Sequence, residues 1–557
     1  MQSLPGPEGD KPGHEANPRK RSTNRNGQLH RFCFQSAAGR SAFRRRLCYH
    51  EVLRRRKLAV YVKKEETVVK GDSRRTWIGI LILWAFCAAG TAAAGARPNI
   101  VFILSDDHRY NFMGFLKTPP FLETPTLDSL KQRGVYFRNT FVSTSLCSPS
   151  RATILTGKYM HHHRVVDNQR PVPPGTVFFP QYLRKAGYET AFIGKWHMGH
   201  EKDDPRPGFD YWASFKGQGT YFDPVLNVNG VRKKFRGYTG DVLADLALNF
   251  LRKKRNRPFF LYLSFKAVHF PFRPPNRHLG RYERAEVPYP ETMANTEENY
   301  RTQPRWVRER RYSIHGIDHM ETGRFDNDPV PSFEDFYRRY CEAVHGLDEN
   351  IGKVVRFLDS SGLSRKTVLF YTSDNGFELG EHGFYDKRDA FEESIRIPLL
   401  VYAPGFAPSG LEVEAMIQNI DFAPTILELA GVPAPPEAAM DGRSFVPLLQ
   451  GKKVPWRKEI FYEYYWEWNF PATPTMFALR TERYKYIYYH GVWDIDGLYD
   501  LQTDPHERHN LIEVPAFRPL ALKLRKRLFD FLEASGGLYI PVRRPKGERL
   551  DARKLGR

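Results

Sequence analysis

Four continuous apolar runs, each stopping at polar or charged residues, constrain this chain more than any other feature. Residues 98–104 stop at Ser105, Asp106 and Asp107, and residues 188–193 at Gly194, Lys195, Trp196 and His197. Residues 258–263 lead to Ala267, Val268 and His269, and residues 367–372 stop at Ser373, Asp374 and Asn375. An apolar run without alternation fits a strand buried on both faces. Helical spacing fills the intervals, at 126–133, 179–187, 241–252, 333–358 and 421–430. Residues 135–142 and 397–403 read as two further strands. Alternating strands and helices predict an α/β fold with a mostly parallel, doubly wound central sheet flanked by helices. Ligands of such sheets lie beyond the carboxyl ends of the strands. The four polar clusters are therefore expected to meet there.

Two stretches depart from the pattern. Residues 272–333 are rich in Pro, Arg and Tyr and lack apolar periodicity. An ordered stretch of that length is usually functional, so it is expected to lie over the strand ends and help select the substrate; a surface excursion is the alternative. From about residue 455, short runs at 459–463, 476–481, 484–489 and 497–500 precede a helix at 520–534. They predict a smaller α+β subdomain with a four-stranded antiparallel sheet and one helix.

A second motif is Cys147-Ser148-Pro149-Ser150-Arg151, running on to Thr156-Gly157. A lone cysteine is more often a small buried apolar residue than a nucleophile. Here Pro149 suits the first turn of a helix. That puts Cys147 at a helix N-terminus, where partial positive charge favours an anion. Arg151 follows one turn later on the same side. A nucleophile, a helix N-terminus and an arginine together point to an oxyanion substrate.

Charge agrees, once its distribution is considered. Of the net +22, the first 75 residues supply +12, from 19 Lys and Arg against 7 Asp and Glu. The remaining basic balance favours anionic partners. The leader, 1–75, reads as disordered or as sequence ahead of a true start near Val69. A cytoplasmic tail and a nucleic-acid-binding arm are the alternatives. Residues 76–96 resemble an export signal: Arg74-Arg75, an apolar core from Trp77 to Cys87, and Ala94-Gly95-Ala96 as a small-residue cleavage site. The core is too short for a stable membrane span in the mature form. The product is expected to be exported, periplasmic or extracellular, with no nucleic acid as partner. Cleavage after Ala96 leaves Cys147 and Cys341, so no disulfide framework supports the body.

Each strand-end cluster is weak alone, since Asp and Asn after a strand are usually turn or cap residues. Together, Asp106, Asp107, Asp374 and Asn375 make a hard, oxygen-rich cation site suited to Ca²⁺ or Mg²⁺. Lys195, His197 and His269 would face an anion held against it.

At this point the chain resembles the type I sulfatases of the alkaline-phosphatase-like superfamily, over roughly residues 98–540. The resemblance rests on Asp106-Asp107, the Cys-x-Pro-Ser-Arg motif at 147, Gly194-Lys195-Trp196-His197, Ala267-Val268-His269, Asp374-Asn375-Gly376, and Lys387 ahead of Phe391-Glu392-Glu393-Ser394. It implies an alkaline-phosphatase-like fold and Cys147 oxidised to formylglycine (3-oxoalanine) by a formylglycine-generating enzyme. It implies a metal, usually calcium, on Asp106, Asp107, Asp374, Asn375 and residue 147. It also implies that Arg151 stabilises the hydrated aldehyde, that Lys195, His269 and Lys387 hold sulfate, and that His197 contacts the formylglycine hydroxyl. The domain plan becomes leader 1–75, signal 76–96, catalytic domain 97–454, C-terminal subdomain 455–540 and basic tail 541–557.

Substrate is read from Gly157 to Asn168 and from Tyr238 to Phe250, which resemble N-acetylglucosamine-6-sulfatases and bacterial mucin- or glycosaminoglycan-desulfating relatives. The expected substrate is thus a sulfated saccharide. His161, His162 and His163 line a sugar subsite or form a structural loop. Tyr464, Tyr465, Trp466 and Trp468 stack on sugar rings or pack the small sheet. The rival readings are an arylsulfatase, a phosphomonoester or phosphonate hydrolase on the same scaffold, and a sulfated-glycan-binding protein with unmodified Cys147.

Overall fold

The structure is a computed structural model that describes residues 97–321 and 332–541. The leader, the export segment and most of the basic tail lie outside the described residues.

The four apolar runs become adjacent strands: β1 (Asn99–Ser105), β2 (Glu189–Lys195), β3 (Phe259–Ser264) and β4 (Thr367–Ser373). They occupy the middle of a ten-stranded sheet in the order β4-β1-β3-β2. Each neighbouring pair is parallel. Antiparallel pairing enters further out, through Leu399–Tyr402 beside β4 and through Val225–Val228 with Val231–Lys234 at the far edge. The mostly parallel sheet thus describes the centre better than the rims.

Side chains alternate between two cores. Ile100, Phe102 and Leu104 of β1 enter one hydrophobic cluster, while Val101 and Ile103 enter the other. All five are fully buried. At about 1.5–3 kcal/mol for each large apolar side chain removed from water, such burial on both faces fixes the central strands in place. Register then sets what the strands deliver. Ser105 pairs with Ser373, and Ser264 pairs with both Leu104 and Gly194. Asp106, Asp374, Lys195 and the chain after Ser264 therefore leave the sheet at one level. Gly194 is required for this approach: its φ is 116°, and a Cβ there would stand 1.8 Å from the Ser264 carbonyl oxygen.

The strands expected at 135–142 and 397–403 are each two strands. Val135–Phe137 and Leu399–Tyr402 stay in the large sheet, while Thr140–Phe141 and Arg396–Ile397 pair in a separate three-stranded sheet. The physical reason is local. Pro398 has no N–H to continue a ladder, and Arg138 and Asn139 turn outward to Glu412 and Glu414.

The helix expected at 333–358 spans Phe333–Ser360, capped by Ser332, whose Oγ accepts from the Asp335 N–H. The irregular stretch before it holds short helices at Glu297–Tyr300, Arg305–Arg310 and Ile317–Glu321; residues 322–331 lie outside the described part. It packs on the loop carrying Lys387: Arg310 donates to the Lys387 carbonyl at 2.6 Å and Tyr385 N–H to the His315 carbonyl at 3.0 Å. The C-terminal expectation is met by four antiparallel strands, Glu459–Tyr464, Met476–Thr481, Tyr484–Tyr489 and Gly497–Asp500, covered by helix Arg518–Ser535. Among the described residues no helix is long and apolar enough to cross a membrane.

Candidate active site

Helix α1, Cys147–Thr156, starts at the strand ends with Leu146 as its extended N-cap. Cys147 is thus the first helical residue, fully buried, with Sγ 3.7 Å from Asp106 Oδ1. Burial pushes its thiol up to about 12, against the pull of Lys195 and Lys387. The unmodified thiol is therefore protonated at neutral pH and a poor nucleophile. The hydroxyls beside it fasten the helix: Ser148 donates to the His197 carbonyl, and Ser150 to the Asp374 carbonyl.

Arg151 points back across the strand ends. Its guanidinium donates to Asp374 Oδ2 at 2.9 Å, to the Lys195 carbonyl at 2.7 Å and to Ser264 Oγ at 2.6 Å. A further nitrogen lies 3.5 Å from Asp106. One residue thereby ties α1 to β2, β3 and β4.

Asp106, Asp107 and Asp374 are all fully buried, with carboxylate oxygens within 4.8 Å of one another. The Asp107 N–H donates to Asp374 Oδ1 at 3.2 Å, and Asn375 Nδ2 donates to Asp107. Lys195 pairs with Asp106, and Lys387 with Asp107 at about 2.6 Å. The surroundings act differently on the three carboxyls. Burial works to raise Asp106, but Lys195 foremost, then His269 and Arg151, hold it well below the usual range. Burial raises Asp107 despite Lys387, and burial with Asp106 pushes Asp374 up to about 7.

The donor set fits a hard divalent cation. Asn375 Oδ1 is buried and accepts no hydrogen bond, leaving one amide oxygen beside three carboxylates. A buried oxygen without a partner is costly unless a ligand completes it.

His269 Nε2 lies 3.8 Å from Asp107 Oδ2, and its Nδ1 meets the Phe270 carbonyl at 2.6 Å. His197 is buried with Nδ1 unpartnered. Burial, then Lys195, holds both imidazoles well below the ordinary histidine range. All the residues expected at this site converge, with Cys147, Arg151, Lys195, His197, His269 and Lys387 around Asp106, Asp107, Asp374 and Asn375.

Three contributors escaped the sequence reading. Ser264 accepts from Arg151, Gln218 accepts from Lys195, and Lys266 is buried beside them. The Gly217-Gln218-Gly219 turn directly after the strand Tyr211–Phe215 was the available signal for Gln218. Each of the three histidines has a protein partner: His161 bonds Glu463, His162 bonds Asp441, and His163 meets Thr153. Of the aromatic run, Tyr464 and Tyr465 are buried and Trp466 is 44% exposed.

Comparison with known proteins adds an independent line. The family model described as Sulfatase matches residues 98–432, and that described as N-sulphoglucosamine sulphohydrolase, C-terminal, matches residues 380–534. The chain is 32% identical to an N-acetylglucosamine-6-O-sulfatase of Bacteroides thetaiotaomicron, over 82% of this chain and 89% of that one. It is 31% identical to the N-acetylglucosamine-6-sulfatase of Capra hircus, over 80% and 86%. A solved structure of a protein in complex with its substrate D-glucosamine-2-N,6-O-disulfate superposes with a TM-score of 0.72 at 30% identity, covering 79% of this chain and 98% of that one.

Proposed function

The chain belongs to the sulfatase family, and from that premise we propose that it removes 6-O-sulfate from N-acetylglucosamine or a related glucosamine in a sulfated glycan. The observation carrying the reading is the convergence of Cys147, three buried carboxylates and Asn375 on one level of four parallel strands. The choice of sugar is supported by relatives named for N-acetylglucosamine-6-sulfate and by the structural neighbour described with a 6-O-sulfated glucosamine.

In this reading a maturation enzyme oxidises Cys147 to formylglycine, in keeping with a thiol that burial holds protonated. Asp106, Asp107, Asp374 and Asn375 hold Ca²⁺, with Mg²⁺ as the alternative. When bound, the ion supplies positive charge to the sulfate oxygens and to residue 147. Arg151, locked by Asp374 and Ser264, orients residue 147. One hydroxyl of the hydrated aldehyde gives its proton to a carboxylate beside it and attacks sulfur, and the bond from sulfur to the sugar oxygen breaks. Lys195 and Lys387 neutralise the transferring group. His269, held neutral in the free site, takes up a proton once the anionic ester lies beside it and gives that proton to the leaving sugar oxygen. His197 then takes the proton of the second hydroxyl, the carbon–oxygen bond to sulfate breaks, and the aldehyde returns. The export segment and the extracellular relatives (one a Caenorhabditis elegans extracellular sulfatase homologue) support secretion.

The test is a mass spectrum of the Cys147 peptide from the native host, followed by turnover of glucosamine sulfated singly at O6, O3 or N. An aldehyde at 147 and preference for the O6 ester are expected. A free thiol with no turnover, or equal rates on all three esters, would defeat the reading.

A further inference from the structure

Four lysines are buried among the described residues: Lys195, Lys266, Lys387 and Lys485. Three have carboxylate partners. Lys195 meets Asp106, Lys387 meets Asp107, and Lys485 meets Glu392 and Glu507. Lys266 is 4% exposed and makes no ion pair or side-chain hydrogen bond among the described residues. Its ammonium instead lies 4.6 Å from the centre of the Tyr221 ring. A cation–π contact of this kind is weak beside the cost of taking an ammonium out of water without a counter-ion.

The surroundings hold Lys266 at the strand ends. It follows β3 two residues after Ser264, the acceptor of Arg151. Its carbonyl accepts from the His269 N–H at 3.1 Å, so a tight turn keeps the two residues together. The Tyr221 hydroxyl donates to the His269 carbonyl, which pins the ring against that turn. The charges acting on Lys266 are those of the site: Lys195, Asp106, Asp107 and Cys147.

Charge balance indicates what is missing. Three basic side chains of the site, Arg151, Lys195 and Lys387, face three carboxylates, Asp374, Asp106 and Asp107, and Lys266 is a fourth base without one. A divalent cation would widen the excess. The carboxylates nearby already hold Lys195, Lys387 and Arg151. The natural complement of a fourth buried ammonium is an anion brought from outside.

We propose that Lys266 is a substrate-binding residue whose ammonium contacts the anionic sulfate group from the Tyr221 side. This rests on the sulfatase reading of the site and adds a fourth cation to Lys195, Lys387 and Arg151. Burial and Lys195 push the free ammonium down to about 7, which accords with a position that favours charge only once an anion arrives.

The experiment compares wild type with Lys266→Met and Lys266→Arg, as full-length metal-loaded protein. Binding of inorganic sulfate is measured by calorimetry, and KM and kcat on a 6-sulfated glucosamine are measured separately. Lys266→Met is expected to weaken sulfate binding and raise KM by about 10–100-fold, the scale of one charged hydrogen bond, with kcat within about threefold. Lys266→Arg is expected to restore most of the binding. A structural role predicts lower thermal stability with unchanged sulfate affinity and KM, and that result overturns the proposal. Amine labelling of Lys266 in wild type, read by peptide mass spectrometry, needs no variant: sulfate should protect it, and undiminished labelling counts against the assignment. Loss of sulfate binding in Lys266→Met beside a wild type that cleaves no sulfate ester would keep Lys266 and refute the functional reading. Normal turnover and sulfate binding in Lys266→Met would refute Lys266 alone.

Discussion

Lys387 and Glu392 lie in one short loop yet belong to two buried charge clusters of different character. Lys387 enters the strand-end cluster, where Asn375 Oδ1 and His197 Nδ1 have no hydrogen-bond partner. Glu392 enters a cluster against the small C-terminal sheet, and there the carboxylate is enclosed by protein cations. It receives Arg480 at 3.1 Å and Lys485 at 3.0 Å, Lys485 also donates to the Ala390 carbonyl, and Glu507 accepts the Glu392 N–H. Both clusters carry the desolvation cost of buried charge. The second meets it with opposite charges inside the protein, down to Glu507 Oε1, which has no hydrogen bond but a 2.8 Å ion pair with Lys485, and so joins two parts of the fold. The first leaves polar atoms to be completed by a ligand, which is what a binding site requires.

The largest expected effect is on the open cluster. Cys147→Ala should lower kcat by on the order of 10⁴-fold or more while circular dichroism and melting remain close to wild type. Collapse of the fold in that variant would erase the distinction between the clusters. Glu392→Gln should do the opposite. It leaves Arg480 and Lys485 short of a counter-ion at a cost of about 3–5 kcal/mol in stability, with turnover per folded molecule retained. Denaturant unfolding beside active-site titration reads both quantities; lost turnover at unchanged stability would contradict the comparison.

A smaller effect separates the clusters by pH. Asp374 is pushed up to about 7 by burial and Asp106, so below that pH a cation must displace its proton. Metal affinity should rise by about tenfold per pH unit between pH 5 and 7 and level off above. Glu392 behaves in reverse: burial raises it, but Arg480 and Lys485 hold it well below the usual range. A depressed carboxylate contributes stability above its unfolded value of about 4.3 and loses it as pH falls. Glu392 therefore adds no slope to melting between pH 5 and 7, whereas Asp374 and Glu507, raised to about 7 and about 8, should let melting of the metal-free protein fall as pH rises through that window. A metal affinity independent of pH would remove Asp374 from the ligand set.

The strand-end candidates were legible because they follow apolar runs that read as buried strands, as with Asp106 after β1 and Asp374 after β4. Lys387 was found through resemblance, since no strand ends beside it. Lys266 was missed because nothing local marks it, a lysine after a strand being ordinary until its counter-ion proves absent, and Gln218 because its glycine turn follows a strand that no long apolar run announces. The split of 135–142 was hidden for a similar reason, since apolar content does not reveal that Arg138 and Asn139 leave the sheet.

What the sequence determined by itself was the four central strands and the chemistry at their ends, because hydrophobic periodicity and residue type act locally. Tertiary structure decided which charges meet. Register brings Ser105 level with Ser373 and Ser264 level with Gly194, and only then do Asp106, Asp374, Arg151 and Lys195 share one buried volume. Electrostatic coupling depends on separation in space and on exclusion of water, and neither quantity is carried by position along the chain.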